Sequence, residues 1–285
     1  MAVYRRTYRG YAGPLTPTWS RFLILYRYAQ RALFQSKFQT AFYVICFFFP
    51  LLCLISIYAN GHLSVLATLG ARDGLVNVNG EFFTVYLGTQ GALSFILTAF
   101  IGPGLISRDL SNGALTLYLS RPLSRSEYVI GKMAALAITL SWITWVPGLV
   151  LFFVQSGVAG GSWMRDNFWI ATGLTIGSLI WIFVLSLLAL ALSAWVKWRI
   201  AAGALLLAVF FFGAGFAQAI NVIMGTTQGY LFDLASLVQV LWRDLLRQKG
   251  PQQIAPAEAS VALLVFCGLC LMLLMKKVKP NEVVR

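Results

Sequence analysis

Six long apolar blocks constrain the fold of this 285-residue chain more than any other feature of its sequence. Each block is close to the 20 or so residues that an α-helix needs to cross the hydrocarbon core of a bilayer. Because lipid offers no hydrogen-bonding partners, a crossing segment must pair its own backbone amides, and a single segment does so as a helix. Only 11% of the residues are charged, against about 25% in soluble domains. The sequence therefore predicts an all-α integral membrane protein with six transmembrane helices.

The apolar blocks also predict where each span begins and ends. The expected spans are 39–58, 84–106, 129–154, 168–196, 200–224 and 257–275. The fourth is longer than one crossing needs, which indicates a tilted helix or an end outside the lipid. We expect three parts: a cytoplasmic arm with an interfacial helix over residues 1–38, a transmembrane domain over 39–275, and a basic cytoplasmic tail over 276–285.

The distribution of Lys and Arg predicts that both termini lie in the cytoplasm. With the N-terminus inside, the cytoplasmic segments carry 17 Lys and Arg and the outer segments carry 5, which is the bias expected of cytoplasmic loops. The net charge of +13 then indicates contact with anionic lipid headgroups. No loop is long enough to fold as a basic nucleic-acid-binding domain, so no nucleic acid is expected as a partner. The first apolar run starts only near residue 39, after a long charged stretch, which is typical of a retained membrane anchor. We expect the protein in the inner (plasma) membrane.

Two stretches outside the spans have the pattern of amphipathic helices. In residues 18–38, apolar side chains share one face at 100° per residue and the arginines point away from it, which predicts a helix lying in the membrane interface. The alternative is a cytoplasmic extension of the first span. The second stretch lies in the long outer connection 225–256, where it is expected on the outer surface or between spans. Its apolar face consists of Leu234, Leu237, Val238, Leu241 and Leu245.

Few residues indicate catalytic or metal chemistry. The four cysteines fall inside predicted spans, where they are interpreted as small apolar residues, and the single histidine, His62, lies in a connection. No span carries Asp or Glu in its middle, which disfavours an intramembrane enzyme and an ion-coupled secondary transporter. Both remain alternatives, as does a membrane scaffold. We expect no cofactor and no metal in this chain.

The connection between the second and third spans holds the densest mixture of charges. Gly102-Pro103-Gly104 precedes it and is expected to kink or end the second span. Ser124 and Glu127 have the spacing of a capping box at the start of the third span. Taken alone, residues 107–128 have the pattern of a solvated loop with positive charges on the cytoplasmic side.

This connection resembles the first cytoplasmic loop of the ABC-2 class of ABC exporter membrane subunits. Those proteins carry Ile, Glu, Gly-Thr-Leu, Pro-Leu/Val-Ser-Arg and Gly-Lys in this order. Asp109 stands here where Glu is usual, and Ala114 where Thr is usual. The six-helix plan, the interfacial N-terminal helix and the long last outer connection also resemble the family, so the resemblance covers nearly the whole chain. The matching residues are Ile106, Gly113, Leu115, Pro122, Leu123, Ser124, Arg125, Gly131 and Lys132.

The resemblance implies a permease subunit that forms half of a translocation pathway and docks its loop, as a coupling helix, on a separate cytoplasmic ATPase. Apolar side chains of the loop would form the centre of this contact and charged ones its rim. The candidate coupling residues are Arg108, Asp109, Gly113, Leu115, Tyr118, Arg121, Pro122, Ser124, Arg125, Glu127 and Lys132.

The resemblance also implies the partners. We expect two ABC ATPase subunits and a second permease, either the same chain or a homologue, in contact with membrane lipids. ATP and Mg²⁺ are expected on the ATPase, because the Gly131-Lys132 pair lacks the other residues of a phosphate-binding loop. The uncharged spans favour export of a lipid, a lipid-linked molecule or a hydrophobic compound. Gln90, Gln218 and Asn221 are the candidates for the substrate pathway.

Overall fold

The computed structural model describes residues 26–31, 34, 36–61, 76–113, 125–196, 198–248 and 254–277. Across these ranges the chain is helical and contains no strand. Short 3-10 turns cover Gly102–Gly104 and Gln228–Phe232. The helices are α1 (Lys37–Ile45), α2 (Phe48–Asn60), α3 (Gly80–Ile101), α4 (Ser107–Ser111), α5 (Arg125–Ile143), α6 (Trp145–Ala159), α7 (Gly161–Trp195), α8 (Arg199–Met224), α9 (Leu234–Leu245) and α10 (Pro256–Lys277).

Six helical segments in the described part of the chain are long and apolar enough to cross a membrane. The first consists of α1 and α2, the second of α3 and the turn after it, and the third of α5 and α6. The fourth, fifth and sixth are α7, α8 and α10. This confirms the prediction of an all-α protein with six spans. We call the end of the bundle that carries α4 the predicted cytoplasmic end, following the Lys and Arg distribution.

Helix α7 is the centre of the bundle. It packs against α3, α5, α6, α8, α9 and α10. In its most apolar stretch of 18 residues, 72% of the residues are buried, against 28% or less in the corresponding stretches of the first, fifth and sixth spans. It begins at Gly161, seven residues before the predicted start of the fourth span. The difference arises because the polar residues Arg165, Asp166 and Asn167 continue the helix beyond its apolar part. A hydropathy pattern marks only the part of a helix that lies in lipid.

The first span is broken by its proline. Pro50 has no N–H and its ring clashes with the carbonyl four residues earlier, which belongs to Cys46. Accordingly α1 ends at Ile45 and α2 begins at Phe48. The side chain of Gln90 on α3 donates its Nε2–H to the Cys46 carbonyl at 3.1 Å. A neighbouring helix thus supplies the hydrogen bond that the proline removes, as a spanning segment requires.

The third span has a similar break, which the apolar pattern did not predict. Helix α5 ends at Ile143, α6 begins at Trp145, and Pro147 lies in the first turn of α6. The Tyr86 hydroxyl on α3 donates to the Thr144 carbonyl at 2.7 Å. The Thr144 carbonyl also accepts the Gly148 N–H at 3.3 Å, and the carbonyl that loses its donor to Pro147 is that of Ile143. Tyr86 therefore ties α3 to the residue beside this break and does not replace the lost hydrogen bond.

Helix α9, the amphipathic stretch of the outer connection, dips between the spans. Its apolar face is buried, with Leu237 and Val238 almost inaccessible. The Trp242 ring lies between Gly91 of α3 and Gly177 of α7, and a Cβ atom on either glycine would stand within 3 Å of that ring. The Trp242 Nε1–H donates to the Gly177 carbonyl at 2.9 Å. The two glycines therefore make the slot that holds α9 in the bundle.

Part of the N-terminal amphipathic stretch is described. Residues 26–31 are helical, with Ala29 buried and Arg27 and Arg31 exposed. Gln30 exchanges hydrogen bonds with Thr139 of α5 at 3.1 and 3.3 Å. The apolar face thus points towards the bundle in these six residues. The rest of the stretch before residue 26 lies outside the described residues, and its interfacial position stays a prediction.

Candidate functional site at the end of the second span

The second span ends in a tight turn against α7, as Gly102-Pro103-Gly104 predicted. A Cβ on Gly102 would stand 2.7 Å from the Cβ of Ala189, so only glycine permits this approach. The 3-10 turn leaves the Phe100 carbonyl without its usual helical donor. Two side chains satisfy it instead: Gln39 donates through Nε2 at 3.1 Å and Arg199 through Nη2 at 2.8 Å.

Ser193 of α7 fixes the start of α4. Its Oγ accepts the backbone N–H groups of Ile106 at 3.1 Å and Ser107 at 2.9 Å, and it donates to the Pro103 carbonyl at 2.6 Å. All three contacts are buried. The first N–H groups of a helix have no partner within that helix, and a side chain of the fourth span supplies one here. The central helix therefore holds the beginning of the candidate coupling segment.

An ion pair joins α4 to α5. The Nζ of Lys132 lies 2.8 Å from Oδ2 of Asp109, and these side chains are 10% and 15% exposed respectively. The Tyr128 hydroxyl, one turn before Lys132, donates to the same oxygen at 2.7 Å. A largely buried ion pair holds both side chains in place, because leaving either charge without its partner would strongly destabilise the protein. Asp109, the acidic residue of the candidate motif, therefore pairs with Lys132, the lysine of the Gly-Lys pair in the same motif.

Other residues of the candidate coupling set are placed only in part. Arg108 is exposed on α4, and Glu127 lies in the first turn of α5, which begins at Arg125. Gly113 follows α4 with φ of 64°, a left-handed conformation that favours glycine. Among the described residues no atom lies within 4 Å of a Cβ built there, and the backbone conformation is the observed reason for a glycine. Leu115, Tyr118, Arg121, Pro122 and Ser124 lie outside the described residues.

The three candidate pathway residues do not form one cluster among the described contacts. Gln90 is fully buried and bonded to the first span. The Oδ1 of Asn221 accepts the Gly229 N–H at 2.8 Å, which ties α8 to the 3-10 turn after it. Gln218 is exposed on α8. Gln90 and Asn221 thus have evident structural partners, and a role in transport stays a prediction for all three.

A cavity of about 270 Å³ opens between α3, α7, α8 and α9. Aromatic side chains form its large apolar walls: Phe95, Trp181, Phe210 and Trp242 line it together with Phe211, which is 72% exposed. We call it the aromatic cavity. Trp181 is fixed by donating its Nε1–H to the Gly91 carbonyl and to Ser94 Oγ. The cavity can therefore receive an apolar group within the membrane-spanning part of the protein.

Sequence reasoning missed several residues of the site on α4. Ser193 is a small polar residue within an apolar run, which carries no signal in a single sequence. Gln39 and Arg199 lie at the starts of the first and fifth spans, far along the chain from the loop they support. Tyr128 had a usable signal, because it precedes Lys132 by four residues and so shares its helix face.

The fold and this site define a multi-pass helical membrane protein whose second span ends in a short, firmly held helix. The family model described as "ABC-2 family transporter protein" matches residues 35–276, and the chain belongs to that family. The chain is accordingly a transport membrane subunit, a permease of an ABC transporter, and its family implies association with an ABC ATPase. No curated protein sequence matches the chain significantly.

Proposed function

We propose that this chain is the permease subunit of an ATP-driven ABC exporter in the inner (plasma) membrane. Two permeases, identical or homologous, form the pathway, and two cytoplasmic ATPase subunits drive it. The observation that carries this proposal is the fixation of α4 to two different spans. Ser193 ties its start to α7, and the Asp109–Lys132 pair ties it to α5.

These contacts suit a segment that transmits force. A loop held only by its ends would bend when a partner pushed it, and the spans would not move. Here a displacement of α4 acts on α5 through Lys132 and on α7 through Ser193. ATP binding closes the ATPase pair, the loop follows the ATPase surface, and α5 and α7 change their packing. The substrate then leaves on the outer side.

The partner supplies the nucleotide chemistry in this proposal. Gly131 and Lys132 lie within α5, and the Lys132 ammonium group binds Asp109. A phosphate-binding loop instead needs free backbone N–H groups and a lysine aimed at the phosphates. ATP and Mg²⁺ therefore belong to the ATPase subunits.

The aromatic cavity supports a hydrophobic or lipid-linked substrate. Its walls come from α3, α7, α8 and α9, and the one acidic side chain that lines it, Asp233, caps the start of α9 by accepting the N–H of Ala235 at 3.0 Å. An apolar ligand gains by leaving water for such walls, whereas a small inorganic ion would lose its hydration there. Gln90 of α3 and Gln218 and Asn221 of α8 remain the proposed polar contacts along the pathway.

The proposal is tested by purifying the tagged full-length chain from its own cells in mild detergent. We expect a co-purifying soluble protein that contains a nucleotide-binding loop, and ATP hydrolysis in the eluate. Leu115→Asp should abolish this association, and Tyr118→Ala should weaken it by about 1–2 kcal/mol if it is an anchor of the contact. Val76→Asp, at the opposite end of the bundle, is the matched control. Full partner binding and hydrolysis in both loop variants would refute the coupling role.

Asp109 needs a different variant. Asp109→Lys alone would place two lysines side by side and disturb the spans as well as any docking. The exchange Asp109→Lys with Lys132→Asp keeps an ion pair at the same place and reverses its direction. If the charge of α4 contributes to docking, this exchanged variant should fold but bind less ATPase than the parent chain.

A further inference from the structure

Two guanidinium groups converge over Gly104 at the predicted cytoplasmic end. A Cβ built on Gly104 would stand 3.5 Å from Nε of Arg199 and 3.7 Å from Nε of Arg108. Gly104 lies in the 3-10 turn that ends the second span, Arg108 lies on α4, and Arg199 is the first residue of α8. Two cations from separate elements thus border the same small space, which the missing glycine side chain leaves open.

That space is a cavity of about 70 Å³ with an excess of positive charge. Arg108, Lys132 and Arg199 line it, and Asp109 is its one acidic residue. The Asp109 carboxylate is already committed to Lys132 at 2.8 Å and to the Tyr128 hydroxyl. Arg199 donates one N–H to the Phe100 carbonyl. Among the described residues neither arginine forms an ion pair, so two positive charges face the cavity without a compensating anion.

Like charges in a partly desolvated site repel one another, and an anion between them removes this cost. Arginine side chains suit a phosphate group especially well, because their planar N–H groups bind its oxygens in pairs. The cavity holds about two water molecules' share of liquid volume. It therefore fits one small anionic group and not a whole lipid molecule.

The surroundings of Arg199 indicate that this anion belongs to a lipid. Trp198 and Ile200, on either side of it, are 80% and 88% exposed, and such side chains at the end of a span lie against lipid. Tryptophan is typical of the membrane–water boundary. Basic pockets between transmembrane helices on the cytoplasmic side bind anionic headgroups. The headgroup would sit in the cavity while its acyl chains lie along the exposed face of α8.

We propose that Arg108 and Arg199, above Gly104, bind the phosphate of an anionic phospholipid from the predicted cytoplasmic leaflet. The phosphate joins the start of α8 to α4 beside the Asp109–Lys132 pair. The lipid thus becomes part of the connection between the coupling segment and the fifth span. This site does not depend on the identity of the ATPase or of the exported substrate.

Native mass spectrometry of the full chain tests the proposal, with equal amounts of phosphatidylcholine and phosphatidylglycerol added in mild detergent. We expect one phosphatidylglycerol retained per chain in preference to phosphatidylcholine. Arg108→Gln with Arg199→Gln should weaken this retention about 30-fold, since each basic residue near a headgroup contributes about a factor of five. Arg27→Gln with Arg31→Gln removes two exposed charges outside the cavity and should leave it unchanged.

Two further variants separate loss of the site from loss of the fold. Arg108→Lys with Arg199→Lys keeps both charges and should retain part of the binding. Gly104→Val fills the cavity at constant charge and should lower retention, whereas Gly104→Ala should lower it less. Equal retention in the double Gln variant and the parent chain would overturn the proposal. Displacement of the lipid by millimolar inorganic phosphate would assign the site to free phosphate and overturn the lipid assignment.

Discussion

At the scale of single residues, the Asp109–Lys132 pair decides how α4 is attached. Both side chains are mostly buried, and removing one charge leaves the other desolvated without its partner. Asp109→Asn should therefore destabilise the chain by about 3 kcal/mol, measured as the free energy of unfolding in mixed detergent micelles. Asp166→Asn, at an exposed position of α7, is the control and should change stability little. Equal stability of the two variants would contradict the structural role of the pair.

The hydrogen bond from Gln90 to the Cys46 carbonyl is a second single contact that can be tested, because it replaces the bond that Pro50 removes. Gln90→Leu removes the donor to the Cys46 carbonyl and leaves that oxygen unpaired beside Pro50. Hydrogen bonds between transmembrane helices contribute about 0.6 kcal/mol on average and up to about 1.7 kcal/mol, and we expect a loss at the upper end. Thr89→Val is the matched control, because the Thr89 hydroxyl donates to the Val85 carbonyl of its own helix. The midpoints of thermal unfolding in detergent compare the two variants. Equal midpoints would show that the Gln90 hydrogen bond does not stabilise the first span beside Pro50.

At the scale of elements, the position of α9 in the bundle depends on the side chain of Trp242. Trp242→Ala empties the slot between Gly91 and Gly177 and removes the hydrogen bond to the Gly177 carbonyl. Truncation of a buried tryptophan costs about 3–5 kcal/mol, and α9 should become accessible to limited proteolysis. Trp198→Ala changes the same residue type at an exposed position and should cost little. Intact protection of α9 in the Trp242 variant would show that other contacts hold it.

The elements also show what a single sequence predicts. Hydropathy located all six spans, because each apolar run reflects contact with lipid and needs no knowledge of neighbouring residues. It did not predict the breaks near Cys46 and Thr144, since one proline hardly changes an apolar run. Whether such a break is tolerated depends on a partner far along the chain, such as Gln90, 44 residues from Cys46. The apolar face of α9 was visible in sequence, but the glycine slot for Trp242 was not.

The site on α4 was predictable to a similar extent. The motif brought Asp109 and Lys132 into one candidate set, yet it assigned them to a surface facing a partner. The structure pairs them with each other. Ser193 and Arg199 come from later spans, where nothing in the local sequence marks them. Contacts between distant segments are therefore what the sequence left undetermined.

At the scale of the whole molecule, burial is uneven in a way that matches the attachment of α4. Helix α7 is the most buried span, and it carries Ser193, which caps α4. It also carries Trp181, which lines the aromatic cavity, and Gly177, whose carbonyl accepts the Trp242 hydrogen bond that holds α9. One helix thus joins the predicted cytoplasmic end to the cavity and to the outer connection. In the proposed mechanism, a displacement of α4 by the ATPase would therefore reach these elements without passing through a loop.

The orientation of the whole molecule is the last prediction. Six spans place both termini on one side, and the excess of Lys and Arg on the segments assigned to that side predicts that it is the cytoplasm. A reporter fused after Arg285 should therefore be cytoplasmic. Reporters inserted near Gly74 or Gly250 should be extracytoplasmic, and one inserted at Lys197 should again be cytoplasmic, which makes it the internal control. Paired reporters that are active only inside or only outside the cell measure this directly. A cytoplasmic signal at Gly74, with the Lys197 control unchanged, would overturn the six-span topology, because the three spans between these positions must place them on opposite sides of the membrane.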